Sequence, residues 1–341
     1  MKNLIYFSIF GKKNYLNLLD LLIKSLKAFG NPNNIDFLII TTSDFKEACE
    51  TIFHLMDYNI DFHFIDNNNI LYNLSSRFLV FNYYKIHEYN KILYLDTDIL
   101  ITNDINNIFN LDLDNKLYAL MEGTIDDPYH GKEFFNFITI NNSTTSFTSG
   151  ILLFNNCNEI KNLFDITMND IVKNINNNGI KPVAYDQAFI NYYAIINNLY
   201  NNTLLINYSI NNPEMFNYKN HIISHFPGGV GNYLSKYDKM NNYMLYIYDL
   251  YPLNKNLNNF VKYKRFEWKH DCYNKNGEIY FDENNILETS FGNGTYEILD
   301  TNSLKTFWCK DCHILKFNDD YTKFISIRRK DYNISKGNII Y

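Results

Sequence analysis

The feature that most constrains this chain is the run Lys91-Ile92-Leu93-Tyr94-Leu95-Asp96-Thr97-Asp98-Ile99-Leu100, where an apolar segment ends abruptly in two carboxylates one residue apart. A short, continuous apolar run reads as a strand buried on both faces, the kind found in parallel sheets. Side chains alternate along a strand, so Asp96 and Asp98 are expected to leave it on the same side. They would do so at its carboxyl end, where open α/β sheets hold their ligands. Two carboxylates on one face repel each other unless a cation sits between them. Oxygen ligands favour Mg²⁺ or Mn²⁺, completed by substrate phosphates and water. An isolated Asp-x-Asp also marks ordinary polar turns, and the buried strand ahead of it is what points to a metal–diphosphate site.

The flanking sequence alternates between strand and helix patterns. A strand-like run, Leu4 to Phe10, leads through Gly11 and Tyr15 into apolar residues at helical spacing (Leu16, Leu19, Leu22, Ile23, Leu26), which Gly30 closes as a C-cap. Asp36 to Thr41 is a second strand, with Ser43 as N-cap of the next helix, and Phe62 to Ile65 a third. Helix-period residues from Leu71 to His87 then feed the strand before Asp96. This alternation predicts a parallel α/β sheet with right-handed crossovers. Neither a Gly-x-Gly-x-x-Gly fingerprint nor a Walker-type loop is present, which disfavours a dinucleotide or P-loop site.

Further on, Leu117 to Met121 reads as a strand, and Glu122 to Pro128 as a polar loop. In Phe147-Thr148-Ser149-Gly150-Ile151-Leu152-Leu153-Phe154-Asn155, small residues and a glycine precede a buried strand, as where backbone must approach a ligand. Tyr185-Asp186-Gln187 opens a helix. Ile222 to Gly229 is strand-like and ends in His225 and a glycine-rich turn, and a helix pattern from Met240 to Leu250 stops at Pro252. Beyond about residue 258 the composition changes, with both tryptophans and three of the five cysteines. Alternating runs there (Glu278 to Phe281, Phe324 to Ile327), broken by Asn-Gly, Gly-Asn-Gly and Asn-Asp-Asp, predict a small antiparallel β module over 259–341 after a first domain over 1–258.

With 46% hydrophobic and 20% charged residues the chain has ample material for a core. A net charge of −6 argues against a generic nucleic-acid binder. No run reaches membrane-spanning length and no cleavage site follows the first strand, so a soluble cytoplasmic protein is expected. An odd number of cysteines fits free thiols in a reducing compartment.

In their order along the chain, these landmarks resemble glycosyltransferase family 8, the retaining enzymes that include glycogenin-like and bacterial galactosyltransferase-like members. Asp96-Thr97-Asp98 resembles the family's DxD motif, and Phe147-Thr148-Ser149-Gly150 its F-N-S-G strand. Asp186-Gln187 resembles its D-Q pair, His225-Phe226-Pro227-Gly228 its H-F-x-G turn, and Arg77-Phe78-Leu79 its donor-side basic segment. The resemblance covers roughly residues 1–250 and implies a Rossmann-like GT-A nucleotide-sugar fold, followed here by the β module. It implies Mn²⁺ (or Mg²⁺) held by Asp96, Asp98 and His225 and bridging the diphosphate of a UDP-sugar. The imidazole must be neutral to ligate.

The resemblance further implies that Asp186 and Gln187 line the donor sugar, with glycan or protein as acceptor. Arg77, Thr97, Ser149 and Gly228 would then contact the donor, while Ser8, Phe10, Gly11 and Tyr15 surround the nucleotide. Should the transfer proceed by double displacement, Asp186 is the first candidate nucleophile, ahead of Glu122 and Asp126. Two positions depart from the pattern. Thr148 replaces an Asn, and Gly231 replaces a Lys that binds phosphate, for which Arg77 or Lys236 would have to stand in.

Other readings compete. Cys309-Lys310-Asp311-Cys312-His313 matches a haem-attachment pattern and, with Cys272 and His270, a partial zinc set, but it reads better as a hairpin turning at Lys310-Asp311 with the cysteines facing each other. An inactive GT-A protein could instead bind glycan or a partner through Trp268, Phe291, Tyr296 and Trp308, aromatics that otherwise simply fill a core. A glycoside hydrolase needs two acids about 5 Å or more apart across the substrate, and Asp96 and Asp98 look more like a shared metal clamp.

Overall fold

In the computed structural model, all residues are described except 1, 57, 68, 137, 178, 180–181, 215–219, 229–232, 251–256, 258–260, 262–263, 271–274, 283–284, 291, 300–302, 309–310, 319–320, 322, 330–333 and 341, together with the side chains of 233–235, 245–246, 248–250, 270, 275–276 and 334. Two compact units emerge, residues 1–241 and 242–341. The strands of the first are β1 (Lys2–Ile9), β2 (Ile35–Thr41), β3 (Asp61–Phe64), β4 (Tyr89–Leu95), β5 (Ile99–Ile101), β6 (Leu117–Thr124), β7 (Thr145–Asn155), β8 (Tyr200–Asn201), β9 (Ser209–Asn211) and β10 (Ile223–His225). Its helices are α1 (Tyr15–Ser25), α2 (Lys46–His54), α3 (Ile70–Leu74), α4 (Asn106–Phe109), α5 (Asn158–Asn176) and α6 (Asp186–Ile196), and α7 (Tyr233–Leu250) runs on into the second unit.

The main sheet has the order β3-β2-β1-β4-β7-β6-β8, and a short sheet, β5-β10-β9, stands beside it. From β3 to β4 the strands are parallel, as the alternation predicts. The expectation of a wholly parallel sheet fails at β7, which is antiparallel to both β4 and β6. Both β4 and β7 are buried on their two faces, Ser146 to Phe154 without interruption. Burial on both faces, rather than strand direction, is what a continuous apolar run reports. Helices α5 and α6 close one face through Phe164, Leu163, Phe189 and Ile190, which pack with Tyr94, Phe147 and Phe154.

Three local expectations are corrected. The stretch from Leu71 to His87 is not one helix. After α3 the chain tightens into 3₁₀ turns over Ser75–Asn82 and Ile86–Glu88, and this brings Ser76 and Arg77 inward. Gly30 lies in the widened last turn after α1, and the left-handed cap is Asn31 at φ 44°, a role Asn fills because its short polar side chain tolerates that region. Ser43 is the first residue of a 3₁₀ turn, with Thr42 at the extended N-cap position.

The second unit contains eight antiparallel strands, β11 (Arg265–His270), β12 (Lys275–Phe281), β13 (Ile286–Thr289), β14 (Gly292–Ile298), β15 (Ser303–Trp308), β16 (Asp311–Phe317), β17 (Lys323–Arg328) and β18 (Ile334–Ile340). Each pairs with its neighbour in sequence, and β11 pairs with β18, so the barrel closes. Closure removes the free strand edges that an open module would expose. The Asn276-Gly277 pair sits inside β12, and Gly292-Asn293-Gly294 opens β14. Gly337 is required on β18, because a Cβ there would lie 2.1 Å from Phe324 of the core. Asp311 pairs with Trp308 and Cys312 with Phe307, so Asp311 belongs to β16 rather than to a turn and Cys312 is opposed by Phe307. Cys272, Cys309, Phe291, Pro252, Gly229 and Gly231 lie outside the described residues. Cys49 and Cys157 are free thiols, and among the described residues no helix is long and apolar enough to cross a membrane.

Trp268, Tyr296 and Trp308 are buried in the barrel core. Trp268 packs edge-on to Trp308 at 4.6 Å and donates to Ser335 Oγ at 2.5 Å. Core packing, not sugar stacking, is therefore their role. Trp268→Ala should destabilise the barrel by about 3–5 kcal/mol, measured as a lowered midpoint in urea unfolding followed by near-ultraviolet circular dichroism.

Candidate active site

The main sheet delivers β4 to a tight turn, and Asp96 and Asp98 lie on that turn rather than on the strand. Asp96 is anchored where its N–H donates to Gly150 O of β7 at 2.9 Å, and Asp98 where its carbonyl accepts from Phe226 N at 2.9 Å. Pairing of β5 with β10 then sets His225 opposite Ile99. The result is a convergence that the strand-alternation argument did not contain. One ligand atom from each of Asp96, Asp98 and His225 lies within 4.8 Å of the others. Gly150 permits it, since a Cβ there would stand 2.8 Å from His225 Cε1 and 2.9 Å from Asp96 Oδ2.

The imidazole is oriented from behind. Asn211, on β9, directs its amide nitrogen to Glu122 Oε1 at 3.4 Å, which leaves its Oδ1 to face His225 Nδ1 at 2.8 Å. An oxygen there accepts the Nδ1 proton, so Nε2 presents a lone pair toward the carboxylates. Asp98 Oδ1, 3.4 Å from that nitrogen, is buried without a hydrogen-bond donor. A buried orphan oxygen is costly unless a cation completes it. Two carboxylates and an imidazole with an uncompensated oxygen fit a hard divalent ion. Lys236 of α7 also pairs with Asp98.

Arg77 occupies the centre of the cluster. Its guanidinium lies 3.2 Å from Asp96 Oδ1, 2.9 Å from Asp186 Oδ2 and 4.6 Å above the Tyr94 ring, and Nη1 donates to Ser149 O at 2.7 Å. Tyr6 holds its backbone by donating to Arg77 O at 2.9 Å, and Tyr94 OH donates to Asp96 Oδ1 at 2.5 Å. Asp186 opens α6 behind Tyr185, whose φ of 51° and ψ of −116° make a strained entry that aims the first turn inward. Burial pushes the Asp186 carboxyl up to about 6, against the opposing charge of Arg77 and with Asp96 adding to the rise. Gln187 accepts from Ser149 N at 3.0 Å.

The structure thus joins Asp96, Asp98, His225, Arg77, Ser149, Asp186 and Gln187 in one network, with Ser8 at its margin through Ser76 Oγ at 3.2 Å. Thr97 is buried between the two acids. Phe10, Gly11, Tyr15 and Gly228 take no part in these contacts. Tyr15 is largely exposed at the start of α1, and Gly11 and Gly228 hold positive φ. Four participants escaped the sequence reading: Tyr94, Asn211, His130 and the pairing of Lys236 with Asp98. Tyr94 was legible in principle, two residues before Asp96 near the end of β4. Asn211 and His130 carry no local signal in so asparagine-rich a chain.

The family model described as "Glycosyl transferase family 8" matches residues 12–231, well over half of the chain. The chain belongs to glycosyltransferase family 8. Its core is a mixed α/β domain, followed by the closed antiparallel barrel. Among solved structures it is similar to the WbbM bifunctional glycosyltransferase in its apo form, at 16% identity and a TM-score of 0.49, over 73% of this chain and 51% of that one. The chain therefore spans about half the length of WbbM. It is also similar to the galactosyltransferase LgtC in complex with donor and acceptor sugar analogues (15%, TM-score 0.45, 70% and 95%) and to apo mouse xyloside xylosyltransferase 1 (12%, 0.46, 68% and 98%). None of the curated proteins compared matches the chain.

Two outcomes follow from this geometry. Asn211→Ala should weaken Mn²⁺ binding by about 10–100-fold, read by calorimetric titration of the metal into the protein, whereas unchanged affinity would show that Asn211 does not orient the ligand. For Asp186, the folded state keeps a proton that the unfolded chain has released between its ordinary carboxylate value and about pH 6, so the group costs stability as pH rises through that window. Asp186→Asn removes this slope. Its unfolding free energy relative to wild type should rise by about 3 kcal/mol from acid to neutral pH, measured by urea unfolding of the metal-free protein.

Proposed function

We propose that this family member is a retaining, metal-dependent glycosyltransferase that moves a sugar from a UDP-sugar to a glycan or protein acceptor. The single observation that carries the reading is the convergence of Asp96, Asp98 and His225 around an Asp98 oxygen with no donor of its own. These three side chains would hold Mn²⁺ or Mg²⁺. Once bound, such an ion neutralises charge developing on a leaving diphosphate and orients it.

The remaining roles belong to the protein's own groups. Ser8, Phe10, Gly11 and Tyr15 receive the nucleotide at the end of β1, with the exposed Tyr15 ring available to stack on a base. Thr97, Ser149 and Gly228 present small side chains or bare backbone to the donor. Lys236 brings a cation to the ligand set, where the chain has Gly231 in place of the expected lysine. Asp186 and Gln187 face the sugar. Because Arg77 holds Asp186 beside Asp96, Asp186 serves better as a fixed negative charge opposite an oxocarbenium-like transition state than as a free nucleophile. Neutralising one acid of that pair changes the field at the other, so the cluster acts as a unit.

Asp96→Ala or Asp98→Ala should abolish Mn²⁺-dependent turnover in a screen of UDP-sugars, with the anomer of the product read by NMR. Full activity in either variant overturns the metal assignment, and an inverted product overturns retention. Glycan affinity together with no UDP binding, with or without Mn²⁺, would instead mark a non-catalytic binding module.

A further inference from the structure

Gln187 is held more tightly than a residue that merely lines a pocket would need. Its Oε1 accepts from Ser149 N at 3.0 Å, and its Nε2 lies 3.3 Å from Tyr129 O and 3.2 Å from His130 Nδ1. A backbone N–H can only donate and a backbone carbonyl can only accept, so Ser149 and Tyr129 together fix which end of the amide is which. The nitrogen therefore faces His130 Nδ1, and that ring nitrogen must accept. Both N–H bonds of the amide are then engaged, and what Gln187 has left to offer is its carbonyl oxygen, which Ser149 Oγ approaches at 3.5 Å.

His130 is built for this part. It is 3% exposed and ends a 3₁₀ turn, Pro128–His130, that Asp127 caps through Tyr129 N at 2.8 Å. Its ring is pressed against Gly123 of β6, where a Cβ would meet Nε2 at 2.7 Å and where φ is +57°. Burial lowers its affinity for a proton, opposed by the nearby charges of Glu122 and Asp127. From α6 it meets the uncharged Gln187 amide. A proton on Nδ1 would set donor against donor, and flipping the amide would not relieve it, since Nε2 would then meet the Ser149 N–H and Oε1 the Tyr129 carbonyl.

We infer that His130 is a positioning residue for sugar transfer: by accepting from Gln187 Nε2 it adds a third contact to those of Ser149 N–H and Tyr129 O and holds the carboxamide still beside the donor sugar, carbonyl oxygen toward Ser149. The chain of contacts continues from Gln187 through Ser149 to Arg77, Asp96 and Asp186, so the lock also steadies the acidic cluster. This rests on the proposed transferase reading.

The test compares His130→Phe, which keeps an aromatic ring without an acceptor, with His130→Asn, whose amide oxygen can replace Nδ1. Steady-state kinetics on the UDP-sugar turned over by the wild type are read beside thermal unfolding. His130→Phe should keep donor KM within a few-fold and lose kcat by about 10–100-fold, and His130→Asn should recover most of that loss. His130→Leu serves in its place if the Phe variant fails to fold. Undiminished kcat in His130→Phe, or equal losses in Phe and Asn variants of wild-type stability, overturns the inference alone. Absence of any wild-type turnover overturns the transferase reading and this inference with it.

Discussion

Everything at this site answers to the mutual repulsion of three acids. Asp96, Asp98 and Asp186 are drawn together by strands and a helix start that are themselves fixed by core packing, and carboxylates so crowded and so little hydrated cannot all stay ionised unaided. The chain relieves the repulsion in two places. A buried guanidinium, Arg77, lies between Asp96 and Asp186, and Lys236 neutralises one oxygen of Asp98. The second oxygen of Asp98 has no donor, opposite an imidazole lone pair. That residual demand for positive charge is the physical basis of the candidate metal site.

Arg77 also explains an irregular stretch of backbone. A continuous helix from Leu71 would turn this residue about its axis with the rest of the 3.6-residue repeat. The switch to 3₁₀ turns after Leu74 alters that phase, and the buried guanidinium packs on Tyr94 while it bonds the Ser149 carbonyl. Burying an arginine is costly unless its donors and charge are met, and here two carboxylates, a carbonyl and an aromatic face meet them. A similar economy appears at Asp186 Oδ2. It sits 2.9 Å from Arg77 Nε but outside hydrogen-bonding alignment, so charge alone ties it there.

Much of the fold was legible because burial leaves a mark on composition. The runs at β1, β2, β4 and β7 are apolar because both faces are covered, and the alternation of the C-terminal segment reports strands with one wet face. Direction leaves no such mark, which is why the antiparallel insertion of β7 between β4 and β6 could not be read. Turn chemistry also misled: Asn276-Gly277, a strong hairpin signal in isolation, lies within β12 because barrel closure places the turns elsewhere. The tryptophans gave their identity but not their environment. Only the closed barrel decides that Trp268 and Trp308 face inward.

The site divides along the same line. Which residues are chemically able to act was written in the sequence: two acids after a buried strand, a histidine before a glycine turn, and an Asp-Gln pair at a helix start. Their order along the chain sufficed to suggest the family, because such motifs mark where backbone ends and ligand begins. What the sequence could not hold is partnership. Arg77 beside Asp96 and Asp186, Asn211 behind His225, and His130 behind Gln187 join residues far apart in the chain, and no local pattern records a contact made only when sheets and helices pack. Residue types set the available chemistry, and tertiary packing decided the distances, burial and proton positions on which that chemistry depends.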